Sequence, residues 1–156
     1  MMRSYEEKEF KNIHSGDLGL ETEEEKKQAE EAAEENKPLF EAIKAALGDK
    51  VTKVVPCTMP IEAAACITAG GMVSLAMEKY FKSLPEQDEN VPNAEHVLEL
   101  NMEHPAVKAL KGAYDAGDTD KAVLYTKILH DQALMAEGFQ LDDVTAYNEA
   151  VCQLMK

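Results

Sequence analysis

The sequence predicts an α+β fold with a small three-stranded sheet, several helices and a terminal helical hairpin. Short runs of β-branched or alternating apolar residues occur between residues 51 and 100, and apolar stripes at helical spacing lie on both sides of them. The length of 156 residues suits one domain with a short arm. About two-thirds of the unfolded surface is buried at this size, so the core needs no disulfide or metal.

The first 35 residues predict a connector and then a charged helix. The glycines at 16 and 19 indicate a connector, so we expect residues 1–20 to be the tail of a preceding middle domain or a linker, and 21–156 to be the domain itself. Thr22 and Glu25 have capping-box spacing, which predicts a helix start. Residues 21–35 hold eight Glu and two Lys, which is typical of a solvated face.

The segment after this helix predicts a restart and then the first strands. Pro38 predicts a new helix beginning near Asn36, and Gly48 predicts its end. Residues 51–57 and 64–68 predict two strands, and 96–100 a third. A helix at about 72–84 separates the second and third strands, so the order strand, helix, strand predicts a βαβ unit.

Three further helices are predicted from residue 102 to the end. Pro105 opens the first, which stops at Gly117. Asp118 caps a longer helix that reaches Glu137, and Asp142 caps the last.

The predicted helix at 72–84 has an unusually wide apolar face. Spacing alone favours a stripe that covers the sheet as core. A methionine-containing surface can also adapt to many shapes, so an exposed binding face stays open as the alternative. The candidate binding residues on this face are Val73, Met77, Tyr80, Phe81 and Leu84.

The last two helices carry more apolar surface than a single hairpin can bury. The final helix has a heptad-like seam, and the helix before it is apolar on two sides. Pairing with a second copy would bury the excess in a four-helix bundle, so we expect a homodimer. The candidate interface residues are Leu124, Ile128, Met135, Val144, Tyr147, Val151 and Leu154.

Composition disfavours several classes of function. The net charge is −14 and Arg3 is the only arginine, so we expect no binding of nucleic acid or of an anionic membrane. No apolar run approaches the roughly 20 residues of a membrane span. Three cysteines without CxxC spacing indicate a reducing cytoplasm. The four histidines stand far apart and no nucleotide-binding loop is present, so we expect neither metal nor cofactor. A small thiol or metal enzyme is a weak alternative.

Several segments together resemble a known family. They are the run from Asn36 to Val51, Leu98-Glu-Leu-Asn-Met-Glu-His-Pro-Ala-Val107 and Asp131-Gln-Ala-Leu-Met-Ala-Glu-Gly138. These segments resemble the C-terminal region of the ninety-kilodalton heat-shock protein chaperones, especially its bacterial form. The similarity covers nearly the whole chain.

The resemblance implies a non-catalytic chaperone domain. It implies that the helices at about 119–137 and 143–155 form a constitutive dimer bundle, and that the helix at 72–84 contacts unfolded client proteins. ATP binding and hydrolysis would belong to N-terminal and middle domains that this chain does not include. A purely structural oligomerisation module, with the 72–84 helix buried as core, stays open as the alternative function.

Overall fold

A computed structural model of the chain describes residues 4–5, 8–9, 23–58, 62–84 and 93–155. Within these residues the fold is α+β, with six helices and a three-stranded sheet. The elements in chain order are β1 (Ser4–Tyr5), β2 (Lys8–Glu9), α1 (Glu23–Glu35), α2 (Lys37–Leu47), β3 (Lys53–Pro56), β4 (Ala65–Ala69), α3 (Leu75–Lys82), β5 (His96–Leu100), α4 (Pro105–Asp115), α5 (Thr119–Ala136) and α6 (Val144–Gln153).

The described part of the N-terminal segment adds little to the fold. β1 and β2 form a two-residue antiparallel ladder. The predicted connector around residues 15–19 and the predicted cap Thr22 lie outside the described residues. The assignment of residues 1–20 to a preceding domain therefore stays a prediction.

The main sheet has the strand order β3–β5–β4 and packs one face against helices. β3 is parallel to β5 and β4 is antiparallel to it, which places Val54 and Ile67 on either side of Leu98. All three side chains are buried. They form a core with apolar residues of α2, α4 and α5, so the helices cover this face and stabilise the sheet.

The predicted βαβ unit is wrong in the direction of its strands. A βαβ unit needs parallel strands, whereas β4 and β5 are antiparallel neighbours. The end of β4 and the start of β5 lie at the same end of the sheet, where the amide of Gly70 donates to the carbonyl of Glu95 at 2.8 Å. A Cβ atom at Gly70 would lie 2.9 Å from the Val97 side chain, so this close return requires glycine.

Most of the predicted helix ends are confirmed, but the helix predicted at about 72–84 spans only Leu75–Lys82. α2 restarts at Lys37 directly after Asn36 and ends at Gly48, whose φ is +61°. The cap of the last helix is corrected by one residue, since Asp143 and not Asp142 accepts a hydrogen bond from the amide of Ala146, at 2.8 Å. The side chain of Asp143, and not that of Asp142, lies beside the backbone amides of the first turn, which have no partner within the helix.

α5 packs on the body of the domain through one face. This face includes Leu129 and Ala133 and also the polar residues Thr126 and His130, all of them buried. Burial lowers the pKa of His130, and a hydrogen bond between its Nδ1 and Asp131 opposes this only in part, so the imidazole is neutral at neutral pH. On the opposite face of α5, the predicted interface residue Ile128 is already buried within the chain at 6% exposed, whereas Met135 near the helix end is exposed.

Candidate functional site

The buried face of α3 begins with one apolar residue, Leu75, and is otherwise charged. At about 100° per residue, Leu75, Glu78, Lys79 and Lys82 share one side of the helix, and Leu75 and Glu78 are each only 1% exposed. Ser74 begins the helix by accepting a hydrogen bond from the amide of Met77 at 3.2 Å. A helix of this size normally turns its apolar stripe inward, whereas α3 buries one apolar side chain, Leu75, and directs Glu78 and Lys79 toward the domain.

The carboxylate of Glu78 holds the inner face to the sheet. Its Oε2 accepts hydrogen bonds from the amide of Ala94 at 3.2 Å and from Nε2 of His96 at 2.7 Å. Its Oε1 accepts from Nζ of Lys82 at 2.7 Å. A carboxylate buried to this degree is tolerated because both oxygens have donors.

The surroundings of Glu78 favour its ionised form. Burial by itself would raise the pKa of this carboxyl. Hydrogen bonds from Lys82 and His96, together with electrostatic attraction to both groups, outweigh burial and bring the pKa below its usual value of 4.5. The attachment of α3 is therefore a charged network at neutral pH.

The outer face of α3 is apolar and open to solvent. Met77 and Tyr80 are 47% and 62% exposed, and Leu84 is exposed just beyond the end of the helix. The ring of Phe81 lies 5.9 Å from that of Tyr80 and is half-buried. We call Met77, Tyr80, Phe81 and Leu84 the outer stripe. Their spacing of three, four and seven residues is that of one helix face.

The structure separates the predicted binding residues into two groups. Four of them form the outer stripe. Val73 instead lies before the start of α3 and packs against the core, while the neighbouring Met72 is fully exposed. The interpretation of the helix as plain core is wrong for Met77 and Tyr80, because these side chains face solvent.

Replacement of Glu78 by glutamine should reduce stability in a pH-dependent way. The folded-state pKa lies below 4.5, so the stabilisation is fully present above pH 4.5 and is lost as the pH falls through the folded-state value. We expect Glu78→Gln to lower the free energy of unfolding at neutral pH by about 1.5–3 kcal/mol, the range for hydrogen bonds to charged groups.

Urea unfolding at neutral pH and at several values below 4.5 measures this difference. The difference in free energy of unfolding between the original chain and Glu78→Gln should shrink as the pH falls. The exposed Glu41 provides the control, because Glu41→Gln should change little at any pH. A gap that stays constant with pH would contradict the assigned role of the carboxylate.

A second apolar surface lies along α5 and α6. An open groove of about 780 Å³ runs between α4, α5 and the end of α6. Leu124, Leu154 and the buried side chain of Ile128 line it, and α6 has no buried residue. Leu154 and Val144 are 47% and 56% exposed, which is unusual for a helix with a heptad-like seam.

The predicted interface residues do not all face this groove. Met135 is exposed near the end of α5, and Val151 is half-buried on α6. Tyr147 lines a separate cavity of about 200 Å³ between α6, α5 and the end of α2, on the side of the domain body. We call Leu124, Ile128 and Leu154 the groove residues.

Sequence reasoning missed the charged residues that hold α3. The sequence predicts no role for Glu78, because its contacts with Ala94 and His96 join residues 16 and 18 positions apart and leave no local signal. The one available signal is the position of Glu78 on the side of the helix opposite Met77, Tyr80 and Leu84.

The described residues give no sign of a metal site or a membrane span. No group of three or more His, Cys, Asp or Glu side chains that could hold a metal ion occurs in that part of the chain. No helix among the same residues is long and apolar enough to cross a membrane.

Comparison with known proteins gives consistent matches along the whole chain. The family model described as "Hsp90 protein" matches residues 1–156. The chain is 42% identical over 156 residues to "Chaperone protein HtpG" of Clostridium perfringens, covering 100% of this chain and 24% of that protein. Proteins of the same name from Halalkalibacterium halodurans and Bacillus subtilis are 41% and 40% identical over 155 residues, with 99% of this chain and 24% of each relative covered. The chain thus spans about a quarter of the length of these curated relatives.

Proposed function

Because the chain belongs to the Hsp90 protein family, we propose that it is a chaperone module that pairs with a second copy and holds unfolded polypeptides. In this proposal residues 21–156 are the C-terminal dimerisation domain of a longer cytoplasmic chaperone, and residues 1–20 lead to it from a middle domain. Nucleotide hydrolysis belongs to domains outside this chain.

The outer stripe of α3 is the observation that carries client binding. The large side chains of Met77, Tyr80 and Leu84 are exposed to solvent, because the opposite face of α3 is attached to the domain through the charged contacts of Glu78. Methionine adapts its shape, and tyrosine gives broad contact at low entropic cost, which suits partners of varied sequence. An unfolded client exposes the apolar side chains that would cover this stripe.

The size of this surface explains why two copies would work together. Fully burying one large apolar side chain contributes about 1.5–3 kcal/mol. Association costs about 4–15 kcal/mol, so a single stripe of four residues holds a client weakly. Pairing presents two stripes to one long client, and the second contact then forms at a high effective concentration.

The groove between α4, α5 and α6 supports pairing. In this proposal its apolar lining, which includes Leu124 and Leu154, is covered by the α5–α6 hairpin of a second copy related by a two-fold axis. Two such hairpins make a four-helix bundle, and the half-exposed residues Val144 and Met135 would gain cover there. The exposure of Met77 and Tyr80 favours this chaperone role over purely structural oligomerisation.

A test of the proposed function is suppression of aggregation by the unaltered chain. An enzyme that aggregates on heating is followed by light scattering with increasing amounts of the chain. We expect most of the scattering to disappear at a modest molar excess, without added nucleotide. Scattering that is unchanged at large excess would contradict client binding.

A further inference from the structure

The helix that carries the outer stripe is attached to the turn between α5 and α6. Nζ of Lys79 donates a hydrogen bond of 2.6 Å to the carbonyl oxygen of Glu137, the last residue before the turn. The same ammonium lies 5.3 Å from the centre of the Phe139 ring, and Nζ of Lys82 lies 5.7 Å from it. The ring of His96 packs against Phe139 at 5.3 Å. We call Lys79, Lys82, His96, Glu137 and Phe139 the junction.

The backbone at the C-terminal end of α5 positions Phe139 and the carbonyl of Glu137 for these contacts. Gly138 has a φ of +81°, its amide donates to the carbonyl of Met135, and the amide of Phe139 donates to that of Leu134. This is the pairing of a Schellman motif, which fixes where Phe139 lies. The carbonyl of Glu137 stands at the negative end of the helix dipole, where a lysine ammonium is favoured.

The junction joins the two surfaces that the proposed function uses. α3 carries the outer stripe, and α5 carries the groove residues Leu124 and Ile128. α3 contributes an ammonium–carbonyl hydrogen bond and cation–π contacts to the junction, and these contacts depend on the position of α3. If α3 becomes more or less mobile, the support that it gives to the turn between α5 and α6 changes. Movement of the turn likewise changes the support of α3.

We propose that Lys79 and Phe139 are positioning residues that hold α3 against the α5–α6 turn, so that client binding and pairing of two copies strengthen each other. This inference rests on the proposed function for its second half. A client on the outer stripe orders α3 and so steadies the turn in the geometry that pairing needs. By thermodynamic linkage, the pair must then bind the client more tightly than the single chain does.

The positioning role of Lys79 and Phe139 is tested without any client. Lys79→Met keeps the length and apolar stem of the side chain but removes the charge and the hydrogen bond. Loss of a hydrogen bond from a charged donor predicts amide hydrogen exchange about tenfold faster in α3, while the exchange of α2 and α4 stays unchanged. Lys79→Arg restores a donor and should bring the exchange back toward the original rate. The matched control is Lys44→Met, at an exposed lysine of α2.

The link between client binding and pairing of two copies is tested with a permanently unfolded probe, reduced and carboxymethylated lactalbumin. Sedimentation of the chain across a dilution series gives the dimer dissociation constant with and without saturating probe. We expect saturating probe to tighten the dimer about fivefold or more in the original chain and in Lys79→Arg and Lys44→Met. In Lys79→Met and Phe139→Ala the probe should leave the dimer constant unchanged.

The outcomes separate failure of this inference from failure of the proposed function. Unchanged exchange in α3 of Lys79→Met would overturn the positioning role, whatever the probe does. If the chain binds the probe and pairs, but its dimer dissociation constant is the same with and without the probe, the linkage alone is overturned. A chain that neither binds the probe nor pairs would overturn the proposed function and the linkage with it.

Discussion

Changing both Met77 and Tyr80 to serine should remove most of the capacity of the chain to hold an unfolded protein while leaving its fold intact. These residues are 47% and 62% exposed, so their loss removes little from the core. We expect a change in the free energy of unfolding of about 0.5 kcal/mol or less, as for other surface substitutions.

The loss in binding should be large because the two side chains form the centre of the outer stripe. If a client covers the exposed half of each, about 2 kcal/mol is lost, which raises the dissociation constant for an unfolded probe about thirtyfold. Fluorescence titration with a labelled unfolded probe measures this change. The double variant Met77→Leu and Tyr80→Phe keeps the apolar surface and should bind almost as well as the original chain.

Two outcomes would contradict the assignment of the outer stripe. Unchanged probe affinity in the serine variant would place the client elsewhere. Unfolding of the serine variant at room temperature would mean that the stripe is core after all, since each buried large-to-small change costs about 2–5 kcal/mol.

Introducing glutamate at both Leu124 and Leu154 should convert a dimer into monomers. Leu154 is half exposed and Leu124 lines an open groove, so the single chain tolerates the change. In a two-fold interface each copy would bring two carboxylates into apolar contact. A buried charge without a partner costs about 3–5 kcal/mol, so the dissociation constant should rise at least about a hundredfold.

A matched control carries the same added charge on another face of α6. Thr145 and Cys152 are exposed and lie away from the seam that contains Leu154. Thr145→Glu with Cys152→Glu should pair like the original chain. Sedimentation velocity at one low concentration distinguishes the variants. Dimers that persist in the Leu124 and Leu154 variant would exclude the groove as the interface.

Helix ends could be predicted because their signals are local. Gly48, Gly117 and Gly138 each end a helix with a positive φ, and Asp118 and Pro105 each begin one within a residue of the expected place. Strand direction could not be predicted in the same way. The order of β4, α3 and β5 fits a parallel crossover or an antiparallel return, and only the tertiary contacts choose between them.

The candidate site was predictable in composition but not in orientation. The apolar stripe containing Met77 and Tyr80 follows from spacing, yet the same spacing describes a core helix. The opposite side of α3 is held inward by the buried Leu75, by Glu78 and by Lys79. Glu78 contacts Ala94 and His96, which lie 16 and 18 residues away, and the partner carbonyl of Lys79 lies 58 residues away. Such long-range polar contacts leave no periodic pattern in the sequence.

Absolute mass in solution, measured by light scattering on a sizing column across a wide dilution range, tests the central claim most directly. We expect a mass of twice 17.2 kDa over most of the range, with dissociation only at the highest dilutions, because two α5–α6 hairpins bury their open grooves together. A mass of 17.2 kDa at every concentration would contradict pairing of two copies and, with it, the proposed chaperone module.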